Sequence, residues 1–221
     1  MPSPRLANFP ASAYRVGRAA GAIHFSEIDA LDAELADVGN RFDVVGGGVM
    51  YCSSTRVGAF KEVLAHFRPA ASSSAFAAST SEHLMAVGSV PASWRHARAV
   101  VEFSLQSPLP FLDVERDETL TLLTSALGED LERLGIATLD SSNVRGPNRL
   151  LTRAIARWAY TQVDDNDEAL YSGIRYSSRF QSHECWAVFA GVEIGSMSTT
   201  PIAHSDRDLE TVSRAFGITV H

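Results

Sequence analysis

The chain has 221 residues, of which 45% are hydrophobic and 20% charged, and its formal net charge is -7. This length and composition predict a single domain, residues 1–221, with one sizeable core. The negative charge argues against broad nucleic-acid binding, which depends on neutralising many phosphates. No apolar run approaches the roughly twenty residues of a membrane span, and the first thirty residues lack a stretch suited to a signal peptide. We therefore expect a cytoplasmic protein without a membrane contact.

The cysteine and lysine content narrows the kinds of site that are expected. Cys52 and Cys185 both lie in apolar, strand-like runs, which predicts buried free thiols rather than a disulfide or a nucleophile. Lys61 is the only lysine, so arginines carry nearly all the positive charge. A site for an anionic ligand would therefore have to supply its own arginines, which bind phosphate through two hydrogen bonds.

The sequence of the first half predicts four elements in the order strand, helix, strand, helix. Ala13 to Val16 reads as a strand, and residues 26–38 read as a short amphipathic helix. Val49 to Ser53 reads as a strand, and Ser54 or Thr55 is placed to cap the following helix. Gly46 to Gly48 predict a sharp turn before that strand. This turn would bring together a guanidinium from Arg41, the phenol of Tyr51 and the carboxylate of Glu62.

The second half continues with strands and helices that do not alternate regularly. An irregular connection is predicted at Pro69 to Thr80. Further strands are predicted at Arg98–Leu105, Phe111–Glu115, Leu170–Tyr176 and Glu184–Ala190, and helices at Asp117–Leu127, Glu129–Leu134, Pro147–Thr161 and Ser205–Phe216. This order favours an α+β fold with a central mixed sheet flanked by helices.

Two common chemistries have no support in the sequence. The seven histidines show no HExxH motif or paired-ligand spacing, so no metal site is expected. No Gly-x-Ser-x-Gly nucleophile elbow is present, which argues against acyl transfer. An arginine, tyrosine, glutamate and serine set remains, and such a set is suited to binding a phosphate-bearing nucleotide and breaking a glycosidic bond.

The arrangement of these residues resembles the RES domain, a family named for arginine, glutamate and serine. Arg41-Phe42, Gly47-Gly48, Tyr51 and Glu62 match its first half. Tyr14-Arg15 with Phe25-Ser26 resemble its start, and the run from Arg149 to Trp158 resembles its late helix. The run from Gly173 to Ser178 resembles its serine strand, although Ser177 stands where the family usually has proline. Residues 70–145 form a less typical, expanded connecting region.

The resemblance implies an ADP-ribosyltransferase-like fold and a toxin-like enzyme that consumes NAD by hydrolysis or phosphorolysis. It implies Glu62, Arg41 and Ser178 as catalytic residues, and Arg15, Tyr51, Arg41 and Ser178 as substrate-binding residues. NAD is then a substrate, no cofactor is needed, and inorganic phosphate is a co-substrate if the reaction is phosphorolysis. A helix-turn-helix antitoxin is the implied partner, while a homo-oligomer stays open. Two alternatives also stay open, namely ADP-ribosyl transfer to a macromolecule and a non-catalytic nucleotide-binding module.

Overall fold

An eight-stranded mixed β-sheet organises the protein. The computed structural model describes residues 3–69, 87–180 and 183–221. The strands of the two sheets are, in chain order, β1 Leu6–Ala7, β2 Ala13–Arg18, β3 Val49–Ser53, β4 Ser89–Val90, β5 Arg98–Leu105, β6 Phe111–Asp113, β7 Gly173–Ser177, β8 Glu184–Phe189, β9 Ile194–Pro201 and β10 Thr219–Val220. The large sheet has the order β1-β6-β7-β8-β3-β2-β5-β9, and β4 pairs with β10 in a separate two-stranded sheet. Only β6 and β7 run parallel among the neighbours in the large sheet, which makes it mixed.

Seven α-helices in the described ranges cover this sheet. They are α1 Arg56–Leu64, α2 Ala92–His96, α3 Asp117–Ala126, α4 Gly128–Arg133, α5 Ser141–Arg145, α6 Arg149–Tyr160 and α7 Arg207–Phe216. Two single 3-10 turns lie at Asp32–Glu34 and Ala65–Phe67. The predicted α+β domain with a central mixed sheet is therefore confirmed. Within the predicted connecting region 70–145, only residues 87–145 are described, and residues 70–80 of the predicted irregular connection lie outside the described part.

Alternating side chains divide the core between the two faces of the sheet. Along β3, Val49 packs into a cluster with helices α3 to α6, whereas Met50 and Cys52 point into the cluster on the opposite face. A third cluster joins α1 and α7 to β2 and β5, with Phe60, Leu64 and Leu209 fully buried. The period of two along a strand gives each face its own apolar set, so both faces are covered by packed side chains.

The start of α1 is fixed closely against the end of β3. Thr55 caps the helix by accepting a hydrogen bond from the Gly58 amide at 3.1 Å, as one of the two predicted caps. A Cβ atom on Gly58 would lie 2.2 Å from the Ser53 Oγ, so only glycine fits here. This close approach sets the direction in which α1 leaves the sheet, and with it the position of Glu62.

The predicted amphipathic helix over residues 26–38 is wrong. The segment contains only the 3-10 turn Asp32–Glu34, and Leu31 and Leu35 are 77% and 48% exposed. Of the apolar positions Ile28, Leu31 and Leu35, only Ile28 is buried, so no continuous apolar face packs against the core, which removes the main stabilisation of a short helix. The buried Arg153 of α6 instead binds the backbone carbonyls of Asp32, Ala33, Leu35 and Val38. The guanidinium thus supplies hydrogen bonds to these carbonyls, and among the described residues only that of Asp32 also accepts an amide, from Leu35 in the 3-10 turn.

The other differences are boundaries and omissions. The strand predicted over Phe111–Glu115 ends at Asp113, and the one predicted over Leu170–Tyr176 spans Gly173–Ser177. The predicted neighbour relation between the serine strand and the strand after it is confirmed, because β7 pairs with β8. The sequence reading missed α2, α5, β9 and the two-residue strands β1, β4 and β10. Among the described helices, none is long and apolar enough to cross a membrane.

Candidate active site

A cavity of about 450 Å³ lies where α1, β2, β3 and the start of α6 meet. Its wall includes four of the five predicted site residues, Arg15, Arg41, Tyr51 and Glu62. The remaining lining residues are Tyr14, Val16, Ser26, Asn40, Cys52, Ser53, Ala59, Val63, Arg149, Tyr176 and Arg179. Residues separated by more than a hundred positions in the sequence therefore form one concave surface.

Ser178, the fifth predicted residue, joins this surface through Glu62. Its hydroxyl donates a hydrogen bond to Oε1 of Glu62 at 2.5 Å, and its Oγ accepts the Phe180 amide at 2.9 Å. Ser178 is buried, whereas Glu62 is exposed to the cavity. The serine therefore holds one oxygen of the carboxylate and leaves the other side of the group accessible.

Tyr51 is fixed by the turn that precedes its strand. Gly46 adopts a φ of 73°, and the Gly47 amide donates to the Val44 carbonyl at 3.2 Å. The chain thus reverses, so the Tyr51 hydroxyl donates to Asp43 Oδ1 at 2.8 Å and accepts the Phe42 amide at 3.0 Å. Burial and the neighbouring Asp43 raise the pKa of Tyr51 well above its usual value. The phenol is neutral, and its hydroxyl is engaged away from any ligand, which leaves the ring as its contribution to the cavity wall.

Arg41 is stacked between aromatic rings. Its guanidinium carbon lies 5.0 Å from the Tyr176 ring centre and 5.4 Å from that of Phe42, within the range of cation–π attraction. One terminal nitrogen donates to the Val144 carbonyl of α5. Burial lowers the pKa of Arg41, while Glu62 acts in the opposite direction. The group still carries its charge, because arginine is not deprotonated in proteins.

Arg15 crosses from β2 to the edge of the same cavity. Its Nε donates to the Ala22 carbonyl at 3.0 Å, and its Nη1 donates to the Tyr51 carbonyl at 2.7 Å. Burial lowers the pKa of Arg15 and raises that of the Cys52 thiol beside it. Cys52 and Cys185 are both buried free thiols, as the sequence predicted.

Two cavity residues were missed by sequence reasoning, Arg149 and Arg179. Arg149 is the first residue of α6, where the helix dipole makes a cation unfavourable, and the first turn contains no acidic residue. That placement is a signal available in the sequence once the helix start is known. Arg179 follows the serine strand directly and is exposed. With these two, four guanidinium groups face a single lining carboxylate, so the cavity is positively charged although the chain is acidic overall.

Ser177 points away from the site. Its hydroxyl donates to Glu115 Oε2 at 2.5 Å, and Glu115 in turn pairs with Arg145 at 2.7 Å and Arg175 at 3.4 Å. Adjacent serines therefore serve two different carboxylates on opposite sides of the strand end. Within the ranges covered by the structure, no cluster of three or more His, Cys, Asp or Glu side chains is placed to hold a metal ion.

The chain is similar to a known domain family and to a solved structure. A sequence model of the RES domain matches residues 12–204, and no curated protein gives a significant match. Among solved structures, the chain is similar to one described as the crystal structure of the M. tuberculosis MbcT-MbcA toxin-antitoxin complex. The two chains are 14% identical with a TM-score of 0.44, and the alignment covers 96% of this chain and 91% of the other. The family match spans most of the chain, including every residue that lines the cavity, and the protein therefore belongs to the RES domain family.

Proposed function

We propose that the protein cleaves the bond between nicotinamide and ribose in NAD, with water or inorganic phosphate as the acceptor. The observation that carries this proposal is the exposed Glu62 carboxylate, held by Ser178 at 2.5 Å in a cavity lined by four arginines. The fixed Glu62 carboxylate matches the positively charged nicotinamide riboside part of NAD. The arginines match its negatively charged diphosphate. Membership of the RES family supports the same assignment.

The chemistry follows from where charge develops. When the glycosidic bond breaks, its electron pair leaves with the nicotinamide nitrogen, and the pyridinium becomes neutral nicotinamide. The ribose carbon is left with oxocarbenium character, which a nearby carboxylate stabilises. Glu62 is the carboxylate that lines the cavity, so we assign it the stabilisation of the ribose cation. Water then gives ADP-ribose, whereas inorganic phosphate gives the corresponding ADP-ribose phosphate ester.

The other predicted residues shape and charge the pocket. The neutral Tyr51 ring offers a flat face for the nicotinamide ring, since its hydroxyl is bound to Asp43 and the Phe42 amide. Arg41 and Arg15 supply positive charge from positions fixed by backbone carbonyls. Ser178 orients Glu62 and lies one residue beyond β7. A pocket charged in this way needs no metal ion for the reaction we propose.

Product analysis tests this function directly. Purified protein is incubated with NAD in buffers with and without inorganic phosphate, and products are identified by mass. Release of nicotinamide with ADP-ribose indicates hydrolysis, and a phosphate-dependent product of higher mass indicates phosphorolysis. Intact NAD after prolonged incubation with folded protein would defeat the proposal. Nicotinamide release that depends on an added macromolecule would instead favour ADP-ribosyl transfer.

A neutralising partner is the second part of the proposal. RES proteins are usually paired with a helix-turn-helix antitoxin, and we propose that this chain has such a partner and acts as a toxin. Induced expression in bacteria should then deplete cellular NAD and slow growth, and co-expression of the helix-turn-helix protein proposed as its partner should restore both. Normal growth and NAD content at high expression would contradict the toxin assignment.

A further inference from the structure

The four arginines of the cavity fall into two classes by their hydrogen bonds. Arg15 binds the carbonyls of Ala22 and Tyr51, and Arg41 binds the carbonyl of Val144 and stacks on Tyr176. Both guanidinium groups are therefore held by the protein itself. Each has fewer N–H groups left for a ligand, and neither can turn towards one without breaking these contacts.

Arg149 and Arg179 form the second class. In the part of the chain that the structure describes, neither guanidinium makes a hydrogen bond or ion pair, although most other arginines do. Arg179 contacts only the Phe180 ring, at 5.5 Å from its centre. Each keeps all five N–H donors in the planar fork that fits a phosphate through two bonds.

The surroundings of these two groups disfavour positive charge. Arg149 lies at the positive end of the α6 dipole, where the Asn148 side chain already binds the Leu150 and Leu151 amides. Arg179 is close enough to Arg41 for its charge to oppose the charge of that buried group. Two cations that make no hydrogen bond or ion pair with the described residues, placed beside other cations, indicate a ligand that brings two negative charges.

We propose that Arg149 and Arg179 bind the diphosphate of a nucleoside diphosphate moiety, and that Arg15 and Arg41 are positioning residues for the cavity wall. The inference rests on the proposed function in that it uses the same cavity, and the diphosphate is that of NAD. The two guanidinium groups, which make no hydrogen bond or ion pair with the described residues, equal in number the two negative charges of the diphosphate. A longer polyanion is disfavoured, because the chain outside the cavity is acidic overall.

Binding of ADP, measured by titration calorimetry, tests this assignment without any turnover. Adenosine, which lacks the diphosphate, is titrated in parallel. We expect Arg149→Gln and Arg179→Gln each to weaken ADP binding about ten-fold or more, since each removes charge-assisted hydrogen bonds. Adenosine binding should be unchanged. The matched control is Arg214→Gln on α7, which removes one charge from an exposed ion pair with Glu210 and should leave ADP binding unaltered.

Two further measurements make the result decisive. Arg149→Lys keeps the charge and loses the fork, so its ADP affinity should lie between those of the wild type and Arg149→Gln. Thermal melting of every variant separates loss of binding from loss of folding. Wild-type ADP affinity in both glutamine variants, equal losses for ADP and adenosine, or no ADP binding by the wild type would overturn the proposal. ADP binding that depends on both arginines would support it even if NAD were never cleaved.

Discussion

The Ser178 hydroxyl and the Glu62 carboxylate are joined by a hydrogen bond of 2.5 Å across 116 positions of sequence. Ser178 directly follows β7, and Glu62 lies in α1, which follows β3, a strand separated from β7 in the sheet by β8. Neither residue is fixed in this way by its own secondary structure. The pair is therefore a product of the tertiary fold, and it fixes the position of the Glu62 carboxylate in the cavity.

Replacing Glu62 by glutamine tests the charge of this carboxylate. Glu62→Gln keeps the size and the acceptor for Ser178 but removes the negative charge, so turnover of NAD should fall by several orders of magnitude. NAD binding, measured by calorimetry, should survive because the cationic lining is intact. Unchanged turnover would remove Glu62 from the chemistry.

Substitutions of the two adjacent serines should have different effects, one mainly on the rate of NAD consumption and the other mainly on stability. Ser178→Ala releases Glu62 and should lower the rate of NAD consumption, with a smaller loss of unfolding free energy than Ser177→Ala because water can solvate the exposed Glu62 carboxylate. Ser177→Ala removes a hydrogen bond to the largely buried Glu115, which should cost roughly 1.5 to 3 kcal/mol of unfolding free energy with the rate near that of wild type. Initial rates and urea unfolding of both variants provide the comparison. The reverse ranking of the two rates would mean that the wrong hydroxyl has been assigned to the site.

Arg41→Lys tests the stacked guanidinium. Lysine keeps the positive charge but cannot bind the Val144 carbonyl and stack on the Tyr176 ring at the same time. We expect clearly weaker NAD binding by calorimetry, because the cavity wall formed by this side chain is lost. Arg157→Lys is the matched control, since Arg157 makes an exposed ion pair with Asp130 outside this cavity. Equal NAD affinities for the wild type, Arg41→Lys and Arg157→Lys would mean that Arg41 has a purely structural role.

His183 should make stability depend on pH. Its Nε2 lies 2.9 Å from Lys61 Nζ, and Glu62 is the nearby group of opposite charge. Burial and then Lys61 lower the pKa of His183 below its usual 6.5. The unfolded chain thus takes up a proton near that pH while the folded protein does not, so the unfolding free energy falls as the pH drops through 6.5.

The variant His183→Gln isolates this effect. Glutamine retains an acceptor for Lys61 and does not titrate, so its unfolding free energy should fall less than that of wild type between pH 7.5 and about 5.5. Urea unfolding at both pH values gives the comparison, and other titrating groups contribute equally to both proteins. An identical fall in the two proteins would show that His183 takes up its proton equally well in the folded state.

Strong local patterns predicted structure well, and tertiary contacts explain most of what they missed. The apolar run Val49–Ser53 and the helix after Thr55 follow from β-type residues and a cap, and both form as predicted. The helix predicted over residues 26–38 failed because Leu31 and Leu35 do not reach the core, although Ile28 does. The strand Ile194–Pro201 was missed because its serines and threonines give no alternation of apolar and polar side chains; almost all of it is exposed, and it forms by pairing with β5.

The same holds for the candidate site: residues in a local sequence pattern were predicted, and residues defined only by the tertiary structure were missed. The motif residues lay in recognisable local contexts, so the sequence indicated Arg15, Arg41, Tyr51 and Glu62, which the fold brings to one cavity. Arg149 and Arg179 have no local pattern that marks them as ligands. What distinguishes them is that they line the cavity and make no hydrogen bond or ion pair through their guanidinium groups within the described structure, and both facts are visible only in the folded protein.

The long separation between Glu62 and Ser178 has a consequence for synthesis. Helix α1 is anchored a second time by Arg56, which pairs with Asp206 at 2.5 Å and Asp208 at 2.8 Å near the start of α7. A chain emerging from the ribosome presents Glu62 long before either Ser178 or α7 is available. The nascent protein thus carries the Glu62 carboxylate without the contacts that orient it. The candidate site is therefore assembled only when nearly the whole domain has been made.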